Sequence, residues 1–272
     1  NILCIIYTMV QTYIMSGMKS DFTTKYSPPI SLDENKQYEA ALLSIDLFNS
    51  IPNITNLNNV LRYSKDDGNS WVNIELDTGS YELSAISNEI QRLMANNRDY
   101  DQNADNPYFI TITANLSELK SIVHISNENY KIDFSVPNSI GSVLGFTNEI
   151  IGKGYNESPN IVNIIQVNSI LVNLDIISGS YVNGSASPTI YSFYPNVSPG
   201  YKIVERPSPS LVFYPVSRNE INSMRVWLTD QNNDSIDLRG EQITVRICIR
   251  EVKNVKREFV RAIKTLKQDE VL

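Results

Sequence analysis

Between Gln242 and Arg250 the chain alternates strictly. Ile243, Val245, Ile247 and Ile249 fall on one side, while Gln242, Thr244, Arg246, Cys248 and Arg250 fall on the other. Successive side chains of a strand point to opposite faces, so this run fits a strand with one face in a core. Other short apolar runs recur along the chain, at 38–48, 60–63, 71–76, 108–113, 121–126, 130–134, 161–166, 168–177, 189–194, 201–205, 210–214 and 221–229. Pro-, Gly- and Asn-rich stretches separate them, which is the pattern of strands joined by turns. The Gly-containing turn at 65–69 predicts a hairpin between 60–63 and 71–76.

A single internal segment has the helical period. Over residues 81–95, Leu83, Ile86, Ile90, Leu93 and Met94 recur every three or four positions, with Ser80 or Thr78 placed to cap the start. This helix is expected to lie across one end of a sheet. Asn138–Phe146 reads as one helical turn ending at a Gly corner. Many short strands with one internal helix predict an all-β fold, a β-sandwich or jelly roll. No repeat or low-complexity linker divides the chain. Three regions are expected: an N-terminal arm over 1–27, a jelly-roll domain over 28–252, and a basic tail over 253–272. In the tail, Val255, Phe259, Val260, Ile263 and Leu266 form the apolar stripe of a C-terminal amphipathic helix. Residues 147–160 and 178–188 are the expected exposed insertions.

The apolar run at 2–10 is too short to span a membrane, and no membrane span is expected. The chain opens on Asn1, and its natural start is expected at Met15 or Met18. Cys4 and Cys248 stand at opposite ends, which excludes a disulfide framework. Cys248 is expected to be a buried thiol. Six N-x-S/T triplets, at Asn53, Asn115, Asn156, Asn183, Asn196 and Asn233, are those an Asn-rich chain contains by chance.

Charge excludes a nucleic-acid-wrapping body. The net charge is −7, and residues 253–272 hold six Lys and Arg against three Asp and Glu, so the tail is +3 and the remainder −10. Phosphate binding needs a basic surface, which leaves the tail as the one candidate contact with nucleic acid or an acidic neighbour. No catalytic, metal or cofactor-binding set is expected. The lone histidine, His124, sits in an apolar run and is read as a sheet residue. Asp101–Asp105 imitates the start of a calcium loop but has Asn106 where Gly is needed and Ile112 where Glu is needed. Asp230–Asp234 reads as a hairpin turn between 221–229 and 236–250.

Several segments occur in a recognisable order. They are Pro28-Pro29 through Leu32, Tyr38 through Leu42, Ser50-Ile51-Pro52-Asn53-Ile54 with Asn58-Asn59, and Gly79-Ser80-Tyr81-Glu82 opening the helix. Val143-Leu144-Gly145-Phe146, Ser192 through Tyr194, Pro199-Gly200 and Leu228 through Asp230 follow, and Ile236-Asp237-Leu238-Arg239-Gly240 leads into the last strand. Over roughly residues 28–250 this order resembles the penton, or minor capsid, proteins of Polintons (Mavericks), adintoviruses and virophages. The resemblance implies a single jelly roll that forms homopentamers at icosahedral vertices of the virion, beside a double-jelly-roll major capsid protein. It also leaves room for an endogenised copy. A jelly-roll module that binds carbohydrate or a receptor is the alternative, with an exposed aromatic groove as its mark.

Overall fold

The computed structural model describes residues 10–102, 105–207 and 211–252. Three long strands come first: β1 (Val10–Gly17), β2 (Asp21–Ser31) and β3 (Tyr38–Phe48). The chain then builds β4 (Val60–Ser64), β5 (Val72–Glu75), α1 (Leu83–Asn96), β6 (Ile110–Asn115), β7 (Lys120–Ile125), β8 (Lys131–Asp133), α2 (Gly141–Leu144), β9 (Ile150–Ile151) and β10 (Gly154–Glu157). It returns through β11 (Ile170–Leu174), β12 (Ser180–Val182), β13 (Ser185–Ser187), β14 (Thr189–Phe193), β15 (Lys202–Glu205), β16 (Tyr214–Pro215), β17 (Glu220–Thr229) and β18 (Ile243–Glu251).

Eight of these strands make the jelly roll. One sheet has the order β1-β18-β3-β15, the other β2-β17-β11-β14, and the pairings are antiparallel. Stacked face to face, the sheets form four columns: β1 over β2, β18 over β17, β3 over β11, and β15 over β14. The alternation of β18 is realised in full: Ile243, Val245, Ile247 and Ile249 enter a core with Met15, Leu42, Ile45, Leu47, Val172, Met224, Val226 and Leu228. Each column is closed at the same end, here the upper one, by a crossing between sheets. The crossings are 18–20 in the first column, 230–242 in the second, 49–169 in the third and 194–201 in the fourth. At the lower end β1 begins at Val10, paired with Arg250 near the close of β18.

The third crossing is long enough to have its own interior. Sheets β5-β4-β8-β9 and β10-β7-β6, with α1 packed on β6, enclose a second core around Leu61, Tyr63, Ile86, Ile90, Met94, Val123, Ile132, Phe134 and Leu144. A polar linchpin holds it. The buried Asp99 carboxylate accepts the Tyr63 hydroxyl at 2.5 Å and pairs with Lys65 at 2.8 Å, tying the chain after α1 to β4. Burial first, and then Asp99, push the Tyr63 hydroxyl's pKa up.

Several expectations are corrected here. Residues 10–27 are not an arm: β1 and most of β2 fill the first column, and Met15 is fully buried. A start at Met15 or Met18 would remove that strand. The helix lies in the inserted unit, packed on the sheet that holds β6, and Glu82 occupies its cap position without a side-chain bond. Ser80 instead donates to the Ile51 carbonyl. Residues 161–166 are extended but join no sheet, and among the described residues of 210–214 only Tyr214 enters a strand, β16. Residues 147–160 carry β9 and β10, which pair within the inserted unit, while 178–188 carry the small hairpin β12–β13. Asp230–Asp234 is a tight turn, with Asp230 accepting the amides of Asn232 and Asp234. The chain then crosses to the other sheet, because β18 pairs with β1 and β3 and not with β17. The C-terminal helix expected over 255–266, the basic tail and Cys4 lie outside the described residues.

A chain beginning at Met18 is therefore expected to lose β1 from its first column and to unfold at a clearly lower denaturant concentration. Met15→Ala alone is expected to cost about 2–5 kcal/mol. Urea titrations followed by circular dichroism check both, and unchanged midpoints would make residues 10–17 dispensable.

Candidate functional site

The densest polar architecture lies where the inserted unit joins the jelly roll. Asn53 is buried there and spends its whole side chain on the junction. Its Nδ2 donates to the carbonyls of Tyr81 at 2.7 Å and Ile164 at 3.1 Å, and its Oδ1 accepts the Tyr81 amide at 2.8 Å. Its own carbonyl accepts Asn58 Nδ2 and Gln166 Nε2, both at 3.0 Å. Asn59 Nδ2 caps the Leu76 carbonyl at 2.9 Å. On the jelly-roll side, Asn49 donates from Nδ2 to Val197, and its carbonyl accepts the Gly200 amide. Gly200 has φ +83°, a left-handed turn that suits glycine. Ser50 donates to the Leu238 carbonyl at 2.7 Å.

Of the residues carrying the resemblance, Pro52, Asn53, Asn58, Asn59, Tyr81, Pro199, Gly200 and Leu238 thus converge on this junction. Asp237 and Gly240 form the adjoining turn, where Asp237 accepts the Arg239 amide at 2.7 Å. Leu144, Gly145 and Phe146 lie in the second core instead. Phe146 stacks on Phe134 with ring centres 4.7 Å apart, and Ser121 bonds the Leu144 carbonyl. Gly145 has φ +85°, and a Cβ there would stand 2.3 Å from the Asn160 carbonyl oxygen, so only glycine fits. Pro29 and Tyr38 sit at the lower end of the sandwich, apart from all of these.

The junction encloses a cleft of 510 Å³ lined by Ile51, Pro52, Tyr81, Glu82, Ile164–Val167 and the crossing at Pro195–Pro199. Its walls are chiefly apolar, and the Asn49, Asn53, Ser80 and Gln166 side chains among them are engaged by backbone carbonyls. Burial, followed by the nearby Glu89 and Asp77 carboxylates, raises the Tyr81 hydroxyl's pKa. Such a surface can hold an apolar side chain or an extended segment; it offers no nucleophile with a base. Gln166 and Gln231 went unread in the sequence. Gln231 Oε1 accepts the Asn168 amide at 3.1 Å and its Nε2 donates to the Gln166 carbonyl, pinning the extended stem that returns to β11. Gln166 follows the β-branched pair Ile164-Ile165, while Gln231 sits inside the polar Asp230–Asp234 turn.

The other candidates behave as surface or core. His124 stacks on the exposed Tyr155 with ring centres 4.2 Å apart, across β7 and β10. Cys248 is buried, and burial pushes its thiol's pKa up. Among the described residues no three His, Cys, Asp or Glu side chains form a metal-holding group. No described helix is long and apolar enough to cross a membrane.

No protein-family model matches the chain, and no curated protein matches it. Among solved structures it is similar to the crystal structure of the selenomethionine-labelled mavirus penton protein, with a TM-score of 0.49 and 9% identity over 90% of this chain and 100% of that chain.

Asn53→Ala removes three side-chain hydrogen bonds at a buried site, and the expected loss is about 2–4 kcal/mol. Limited proteolysis is expected to cut near 49–59 or 161–169 while the jelly roll survives. A variant as protease-resistant as the parent would mean that Asn53 does not hold the junction.

Proposed function

We propose that the chain is a penton, the structural capsid protein of a five-fold vertex in a small DNA virus or virus-like transposon, of the kind found in Polintons, adintoviruses and virophages. The ordered segments that resemble those proteins support this reading. So does the eight-stranded jelly roll, whose upper junction gathers eight of the residues that carry the resemblance.

One observation carries the assembly. A closed ring joins copies head to tail, so each must offer two different lateral surfaces. The jelly roll has open edges at β1 and β2 on one side and at β15 and β14 on the other. Of its exposed large apolar side chains, Val10, Ile14 and Met18 stand on one of those sides and Tyr194, Tyr201 and Val204 on the other, with Phe48, Tyr181, Val212 and Val252 elsewhere. The outward row of β18 between them holds Thr244, Arg246 and Arg250, with Cys248 buried among them. Edge strands left apolar in this way are covered by a partner or invite aggregation.

On this reading the ring is a homopentamer in the virion, seated beside double-jelly-roll major capsid proteins. The chain passes Val252 at the lower end, opposite the inserted unit. The basic residues that follow Val252 in the sequence are, on this reading, the candidate contact with nucleic acid or a neighbouring subunit.

Light scattering with negative-stain imaging tests the proposal. Rings of about five chains, formed alone or on adding the major capsid protein, are the expected outcome. A protein that stays monomeric under both conditions overturns it and favours the carbohydrate- or receptor-binding alternative.

A further inference from the structure

We infer that the junction cleft receives the Met18–Lys19 corner of a neighbouring copy, and that this contact closes the ring. The inference rests on the vertex reading and names the surfaces that meet.

The column arrangement sets the geometry. The 18–20 corner closes the first column at its upper end, and the cleft opens between the third-column stem and the fourth-column crossing at the same end. In a head-to-tail ring the first column of one copy meets the fourth column of the next, with upper ends level. Corner and cleft therefore face each other across the interface.

Their chemistry matches. Met18 is 62% exposed although its neighbours Met15 and Ser20 are buried, so an unbranched, adaptable side chain projects from a fixed corner. The cleft presents Pro52, Tyr81, Val197 and Pro199, with Ile165 standing 71% exposed at its edge. A volume of 510 Å³ accommodates a methionine side chain with space for its neighbours. Charge complements this. Lys19 and Glu82, the latter in the cleft wall, are both exposed, and neither has an ion-pair partner among the described residues. Docking the corner brings the two together, a rim contact that fixes register more than it adds affinity.

A disulfide trap tests the contact. In a Cys4→Ser background, Met18→Cys and Ser198→Cys placed in one chain are expected to give a covalent ladder on a non-reducing gel. Mixing two chains that each carry one engineered cysteine beside the buried Cys248 is expected to stop at dimers, because each interface joins one corner to one cleft. Lys19→Glu and Glu82→Lys are each expected to weaken assembly about tenfold, and the double exchange to restore it. Met18→Asp is expected to abolish assembly while leaving the unfolding midpoint unchanged, since the side chain is exposed. Rings that form without the engineered disulfide, and that tolerate Met18→Asp, would overturn the corner-and-cleft contact and leave the vertex reading standing. A chain that forms neither ring nor disulfide overturns both.

Discussion

Everything above the sandwich hangs on one asparagine. The chain leaves the jelly roll after Phe48 and does not re-enter it until Ile170, so two stems must cross the same narrow neck. Backbone pairing between Ile54 and Gly79 satisfies part of that neck, and side chains satisfy much of the rest. Asn53 does so for three segments at once: its own stem, the entry to α1 at Tyr81, and the returning stem at Ile164. A carboxylate would lack the two donors, and an aliphatic residue would leave the Tyr81 amide and two carbonyls unpaired in a buried site. Gln166 and Gln231 extend the clamp along the returning stem, where no strand partner is available.

That chemistry explains what the sequence concealed. β18 was legible because its inward residues are all β-branched and its outward ones polar. β1 was not, because the pattern is inverted: inward positions hold Gln11, Tyr13, Met15 and Gly17, while Val10 and Ile14 face out. A strand with apolar residues on its outer face does not show the alternation of a solvated edge, and it reads as an arm. The second core was hidden for a different reason. Division into units is usually announced by a linker, but here the connection is the structured neck itself. Asn, Ser and Gln in the neck look like loop residues until their hydrogen bonds are seen.

The residues behind the family resemblance divide along the same line. Those at the neck are polar or turn-forming residues whose roles depend on partners distant in sequence, as with Ser50 and Leu238. Those of the Leu144–Phe146 segment are set by local geometry: a left-handed corner with no room for a Cβ, followed by an aromatic stack. Local constraints of the second kind were readable from Gly145 and its apolar neighbours. The convergence of the first kind was not, because no spacing rule links residue 53 to residue 164.

Placing the insertion in the third column has a mechanical consequence. The outer columns stay clear of it, so the edges at β1–β2 and at β14–β15 keep their backbone groups and exposed apolar residues available. An insertion in the first or fourth crossing would have stood over one of those edges. In the third, it borders the fourth column closely enough to form a cleft with the 194–201 crossing, yet it shares almost no apolar core with the sandwich. Two cores that each close on their own strands, joined by hydrogen bonds, can vary independently in sequence. The upper unit is thereby released from the packing demands of the sandwich, and the sandwich's edges are released from whatever the upper unit contacts.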